Sequence, residues 1–203
     1  MKASRPSRTA HFVALGRALA DAGFSHIENF HDPTARAFLS DRATRSLAKA
    51  ERAARAGKPR FTLEIARVRG DLIGLRTSAI DAALRDAIAR GTRQLVILGA
   101  GYDGRAWRMP ELAGVHVFEV DHPATQGEKR ARVTEMAATP ATVTFVPIDF
   151  ERESLAGVLD RAQHDPASPT CWIWEGVVMY LTRDAMRSTL ADVARRSAPG
   201  STL

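Results

Sequence analysis

Residues 93–122 read RQLVILGAGYDGRAWRMPELAGVHVFEVDH. Leu95, Val96, Ile97 and Leu98 form a continuous apolar run that is short and ended by glycine. That is the pattern of a strand covered on both faces of a parallel sheet. Gly99, Gly101 and Gly104 follow, a spacing that lets the chain turn sharply and lets backbone N–H groups approach a ligand with no Cβ in the way. A second apolar strand, carrying Val115, Val117, Phe118 and Val120 and interrupted by Glu119, ends in Asp121. A carboxylate at that tip can accept hydrogen bonds from both hydroxyls of a ribose. The stretch predicts a nucleoside-containing ligand over a glycine turn.

The same rhythm continues downstream. HPATQGEKRARVTEMAA reads as a helix with Lys129, Arg130 and Arg132 outward, and VTFVPID, residues 143–149, as a third strand ending in Asp149. Residues 151–163 read as a helix. TCWIWEGVVMYL, residues 170–181, reads as a fourth strand with Glu175 inside it, and residues 182–197 as a helix with Thr182 at its N-cap. Strands alternating with helices predict a doubly wound, mostly parallel α/β sheet. Right-handed crossovers bring all strand C-termini to one edge. Gly99, Asp121, Asp149 and Glu175 should therefore line one crevice, where such sheets bind their ligands.

Upstream, residues 9–91 read as a helical cap on the core of residues 92–203. Phe12, Val13, Leu15 and Leu19 recur at helical spacing; Asp32 before Pro33 is an N-cap signal; residues 41–56 form an Ala/Arg-rich helix closed by Gly57 and Pro59. Ile80, Ala83, Leu84, Ala87 and Ile88 give an amphipathic face that Gly91 ends. Residues 1–8 read as a disordered tail.

Composition narrows the function classes. Apolar residues are 45% and charged residues 26% of the 203, which is the balance of a folded domain rather than of a disordered segment. The net charge of +6 is spread along the chain. Its densest cluster, Arg42, Arg45, Lys49, Arg52, Arg55, Lys58 and Arg60, reads as a solvated helix face, and nucleic-acid binding is not expected. A lone cysteine, Cys171, permits neither an internal disulfide nor a zinc cluster and fits a reducing cytoplasm as a small core residue. The six histidines lack metal-ligand spacing, so no metal is expected. No apolar run approaches the ~20 residues of a membrane span.

GAGYDG matches the dinucleotide fingerprint, with Asp121 where the ribose-binding acid would stand, so a nicotinamide-dependent oxidoreductase is one reading. Against it, Pro110 breaks the connection that should be a helix. Acids also end the third strand and enter the fourth, where a second nucleotide half would not need them. S-adenosyl-L-methionine suits these positions better. Asp121 would take its ribose and Asp149 its adenine amino group, and its methionine zwitterion calls for an acid and an arginine.

LVILGAGYDGRAWRM, VFEVDHPATQGEK, the Asp149-Phe150 pair and WEGVVMYL, together with DPTARAFL and LRTSAIDAAL in the cap, resemble the leucine carboxyl methyltransferase family, above all its bacterial branch. The resemblance spans residues 25–203. It implies an S-adenosyl-L-methionine-dependent methyltransferase of class I, Rossmann-like architecture with a seven-stranded sheet and an added helical cap. By the same resemblance Arg76 would hold the methionine carboxylate, Gly99 and Gly101 would line the methionine part, and Asp121 would hold the ribose. Asp149 would accept from the adenine amino group, the Phe150 backbone would meet the ring edge, and Glu175 would lie beside the methionine moiety. Family members continue past the point where this chain stops, so a C-terminally shortened sheet is expected, with a non-catalytic remnant as the rival reading. The expected reaction is methylation of a carboxylate or hydroxyl oxygen. No residue stands out as a general base.

Simpler roles exist for each residue. Asp121 or Asp149 could cap the helix that follows, Arg76 could pair with Asp81 on a helix surface, and Asp103 could only shape the glycine turn. Glu175, a carboxylate in an apolar run, requires a partner in any case.

Overall fold

The computed structural model describes residues 8–57 and 60–203. Three helices come first: α1 (Arg8–Asp21), α2 (Asp41–Arg55) and α3 (Arg60–Ala89). Four parallel strands follow, β1 (Gln94–Leu98), β2 (His116–Asp121), β3 (Thr142–Pro147) and β4 (Thr170–Ile173), in the order β3-β2-β1-β4. The order reverses between β1 and β4, which is where a doubly wound sheet opens a crevice. Between the strands lie α4 (Arg105–Arg108), α5 (Pro123–Val133) and α6 (Leu155–Arg161), and α7 (Arg183–Arg195) follows β4. Thr202 bridges Cys171 in parallel beside β4. Among the described residues no helix is long and apolar enough to cross a membrane.

β1 is buried at every position, as its apolar run requires. Leu95 and Ile97 face Leu84 and Ala87 of α3 on one side of the sheet, while Val96, Leu98, Phe118 and Val120 meet Leu155 and Val158 of α6 and Val193 of α7 on the other. A third cluster joins α1 and α2 through Leu15, Leu19, Phe38 and Leu47, and it takes in Tyr102 of the glycine turn. The helical cap thus grips the turn itself, with the Phe38 and Tyr102 rings stacked 5.5 Å apart.

Several expectations are corrected. The fourth strand ends at Ile173; Trp174 to Leu181 leave the sheet, and Val178–Tyr180 form a 3-10 turn. The amphipathic face of Ile80, Ala83, Leu84, Ala87 and Ile88 belongs, as expected, to a helix, the 30-residue α3. Lys129 does not point outward. The buried face of α5 is polar throughout, made of Thr125, Gln126 and Lys129, and the Lys129 ammonium lies 2.5 Å from Glu119 of β2. Gln126 donates to the Glu119 carbonyl at 3.0 Å. Arg42, Arg45, Lys49, Arg52 and Arg55 lie on the exposed side of α2, opposite buried Ala43, Leu47 and Ala50; Lys58 and Pro59 fall outside the described residues. So does the expected tail, apart from Arg8, which opens α1. Cys171 is a buried core residue, as read.

Candidate functional site

A cavity of about 320 Å³ opens at the C-terminal edge of the sheet, and Arg76, Gly99, Gly101, Asp121, Asp149, Phe150 and Glu175 all line it. Residues from α3, from the ends of three strands and from the segment after β4 therefore share one space, although they span a hundred positions of sequence. The inner wall is the glycine turn. Gly99 has a φ of +67°, and a Cβ there would lie 2.1 Å from Val177 Cγ2, so both the backbone and the space exclude a side chain. Gly104 serves differently: a Cβ on it would lie 1.9 Å from Thr34 Oγ1. That glycine lets the loop before the Ala35–Phe38 turn seat against the glycine turn.

Asp121 ends β2 and touches the turn across from it. One carboxylate oxygen accepts from the Gly101 N–H, and the other accepts from the His122 N–H at 2.6 Å. Burial raises the carboxyl above the usual aspartate range, and the two backbone donors oppose that shift. Asp121 does not cap α5. His122 does so, its Nδ1 accepting from the Ala124 N–H at 3.2 Å. An ionised carboxylate offers about four lone-pair sites, so Asp121 retains acceptor capacity toward the cavity. Asp149 follows β3, accepts from the Glu151 N–H at 3.1 Å and lies 3.6 Å from the Arg152 guanidinium. Ser154, not Asp149, caps α6.

Glu175 has the partner that its setting demands. Arg76 Nη2 lies 2.6 Å from Glu175 Oε1, and Arg105 Nη2 lies 3.5 Å from Oε2. Asp81 is not the surface partner of Arg76. It is buried and receives Arg105 Nε at 2.7 Å and Arg108 Nη2 at 2.7 Å. Arg108 reaches on to Asp32 at 3.4 Å, and Asp32 meets Arg17 of α1 at 3.2 Å. Arg105 also pairs with Asp103. Burial disfavours the Asp103 carboxylate, yet Arg105, with help from Arg17 and Lys129, outweighs it and holds the carboxyl below its usual range. Four arginines and four acids thus alternate from α1 to the cavity floor. They are balanced in charge, which is how so many ions can be buried together.

Sequence reasoning did not find this network. Arg17 stands among the buried Ala14, Leu15, Ala18 and Leu19, and a lone arginine on an otherwise apolar helical face was the available signal. The outer lip was also missed. Thr9 and Tyr180 hydroxyls lie 2.6 Å apart, joining α1 to the 3-10 turn, and Phe12, Leu72 and Met179 leave the mouth apolar and exposed.

The site suits a nucleoside that carries a free amino-acid zwitterion. An acid and an arginine stand at one end, an acid beside the glycine turn in the middle and another at the far end. The Arg76 side chain is 37% exposed and lines the cavity beside Glu175. The GAGYDG fingerprint opens only the four-residue α4, not the long helix of a dinucleotide fold.

The sequence profile of the leucine carboxyl methyltransferase family matches residues 10–194. A relative from Frankia alni is 41% identical over 198 residues, covering 95% of this chain and 65% of the relative. One from Mycobacterium avium is 37% identical over 196 residues, covering 96% of this chain and 64% of the relative. Another from Streptomyces avermitilis is 42% identical over 130 residues, covering 64% and 46%. All three carry the name "Putative S-adenosyl-L-methionine-dependent methyltransferase". The chain spans less than two thirds of the length of these curated relatives. By its profile match and by its similarity along nearly its whole length, this chain belongs to the leucine carboxyl methyltransferase family.

Proposed function

We propose that the protein is an S-adenosyl-L-methionine-dependent methyltransferase acting on a carboxylate or hydroxyl oxygen. The observation that carries this reading is the meeting of Arg76, Gly99, Gly101, Asp121, Asp149, Phe150 and Glu175 on one cavity. Family membership and the names of the relatives support it.

Arg76 would take the cofactor's carboxylate and Glu175 its ammonium, the two opening their ion pair around the zwitterion. The glycine turn would admit the methionine chain close to backbone N–H groups. Asp121 would receive the ribose hydroxyls, Asp149 the adenine amino group, and the Phe150 backbone the ring edge. When bound, the cofactor supplies an electrophilic methyl on a sulfonium. Acids around the cavity favour that cation. A carboxylate acceptor is ionised at neutral pH and needs no general base, so the protein's task reduces to holding two reactants in line and excluding water. The acceptor would approach through the apolar mouth formed by Phe12, Leu72 and Met179. The lone buried Cys171 fits a reducing cytoplasmic setting.

Calorimetric titration with S-adenosyl-L-methionine and, separately, with a nicotinamide dinucleotide tests the reading. Saturable binding of the first is expected. Saturable binding of the dinucleotide alone would overturn it.

A further inference from the structure

Glu175 lies between two guanidinium groups of different character. Both line the cavity, but the Arg76 side chain is 37% exposed, whereas Arg105 is among the most deeply buried side chains of the protein. Arg105 cannot leave its place without stranding the Asp103 carboxylate and taking one of two cations from both Asp81 and Glu175. Arg76 can turn, since its only ion-pair partner among the described residues is Glu175. The two arginines divide the work. If a ligand carboxylate draws Arg76 off Glu175, the acid still keeps one cation at its other oxygen.

We infer that Arg105 is the positioning residue of the amino-acid end of the site. It holds Glu175 in place at the cavity wall, so that Arg76 and Glu175 can open their pair around a ligand zwitterion. Arg105 also lines the cavity, but its three ion pairs are all with carboxylates of the protein, so it acts on the ligand through Glu175. Its planar fork reaches Asp81 through Nε, Asp103 through Nη1 and Glu175 through Nη2, an arrangement that a point-charge ammonium cannot reproduce. Asp81 in turn is fixed by Arg108, so the position of Glu175 is set from the helical cap. The inference rests on the proposed cofactor reading.

The test compares two ligands that share the nucleoside and differ in the amino-acid arm: S-adenosyl-L-methionine and 5′-methylthioadenosine. Both are titrated into wild type, Arg105→Met and Arg105→Lys, with circular dichroism to verify folding. For Arg105→Met, affinity for S-adenosyl-L-methionine should fall about tenfold or more, the scale of a lost charge-assisted contact, while 5′-methylthioadenosine binding should change less than about twofold. Arg105→Lys should show the same selective loss to a smaller degree. It decides the matter alone if the methionine variant does not fold. An equal loss for both ligands in the folded variants would mean that Arg105 only supports the pocket, and it would overturn the inference, as would no loss for either ligand. Wild type that binds neither ligand would remove the cofactor reading and this inference with it. Wild type that binds both, with an unselective variant, would remove the inference alone.

Discussion

Replacing Lys129 by methionine would leave the Glu119 carboxyl in the core without its cation. Both side chains are 1% exposed, and the ammonium lies 2.5 Å from the carboxylate. Taking one partner from a buried pair costs about 3–5 kcal/mol, a large share of the ~5–15 kcal/mol that holds a domain together. The pH dependence gives the sharper signature. In the wild type, burial outweighs the Lys129 ammonium and pushes Glu119 up to about 7 from the usual 4.5. An acid whose folded value is raised stabilises the fold fully below its unfolded value and loses that contribution as pH rises through the folded one. The wild-type window therefore runs from 4.5 to about 7 and then closes. Without the ammonium the folded value climbs further. Stability of Lys129→Met should then keep falling above pH 7, by up to about 1.4 kcal/mol per pH unit for one proton. Urea unfolding followed by tryptophan fluorescence from pH 5 to 9 measures both curves. The double variant Glu119→Leu/Lys129→Met should recover most of the loss, because an apolar pair of similar volume needs no counter-charge. Parallel curves for wild type and Lys129→Met above pH 7, or a double variant no better than the single one, would refute the reasoning.

Gly104→Ala should lower the melting temperature by several degrees, the effect of a cost of about 1–3 kcal/mol for overpacking, because its Cβ would strike Thr34 Oγ1. Thr34→Ala in the same chain should return part of that loss in a thermal melt. Asp81→Asn leaves Arg105 and Arg108 short of a carboxylate and should cost about 3–5 kcal/mol in urea unfolding. Arg76→Met removes a partly exposed ion pair and should cost about 1 kcal/mol or less, yet weaken S-adenosyl-L-methionine binding in a titration.

What the sequence discloses and what it hides divide along physical lines. β1, the glycine turn and Asp121 are legible because a fully buried strand must be apolar and a sharp turn calls for glycine; both demands leave one-letter marks. The common crevice follows from handedness alone, so Asp149 and Glu175 could be brought beside Gly99 with no contact information. Lys129 was not legible. Its helix turns Thr125, Gln126 and Lys129 inward, and a hydrophobic pattern cannot register a buried face made of polar groups. The early end of β4 was hidden for the opposite reason: Val177, Met179 and Tyr180 are apolar like a strand, but they serve the mouth of a cavity. Asp32, Asp81 and Asp103 each had an adequate local explanation as cap, surface partner or turn former. Their joint role depends on Arg17, Arg105 and Arg108, which only the folded chain brings near them.

The central claim is that this cavity binds an adenosyl sulfonium through the acid at the end of β2. Titrating S-adenosyl-L-methionine into wild type and Asp121→Ala, with circular dichroism to verify that both are folded, addresses it most directly. Wild type should bind saturably, and the variant about tenfold or more weakly, the scale of lost hydrogen bonds to a charged acceptor. A folded Asp121→Ala that binds as tightly as wild type, or a wild type that binds no S-adenosyl-L-methionine, would contradict the account.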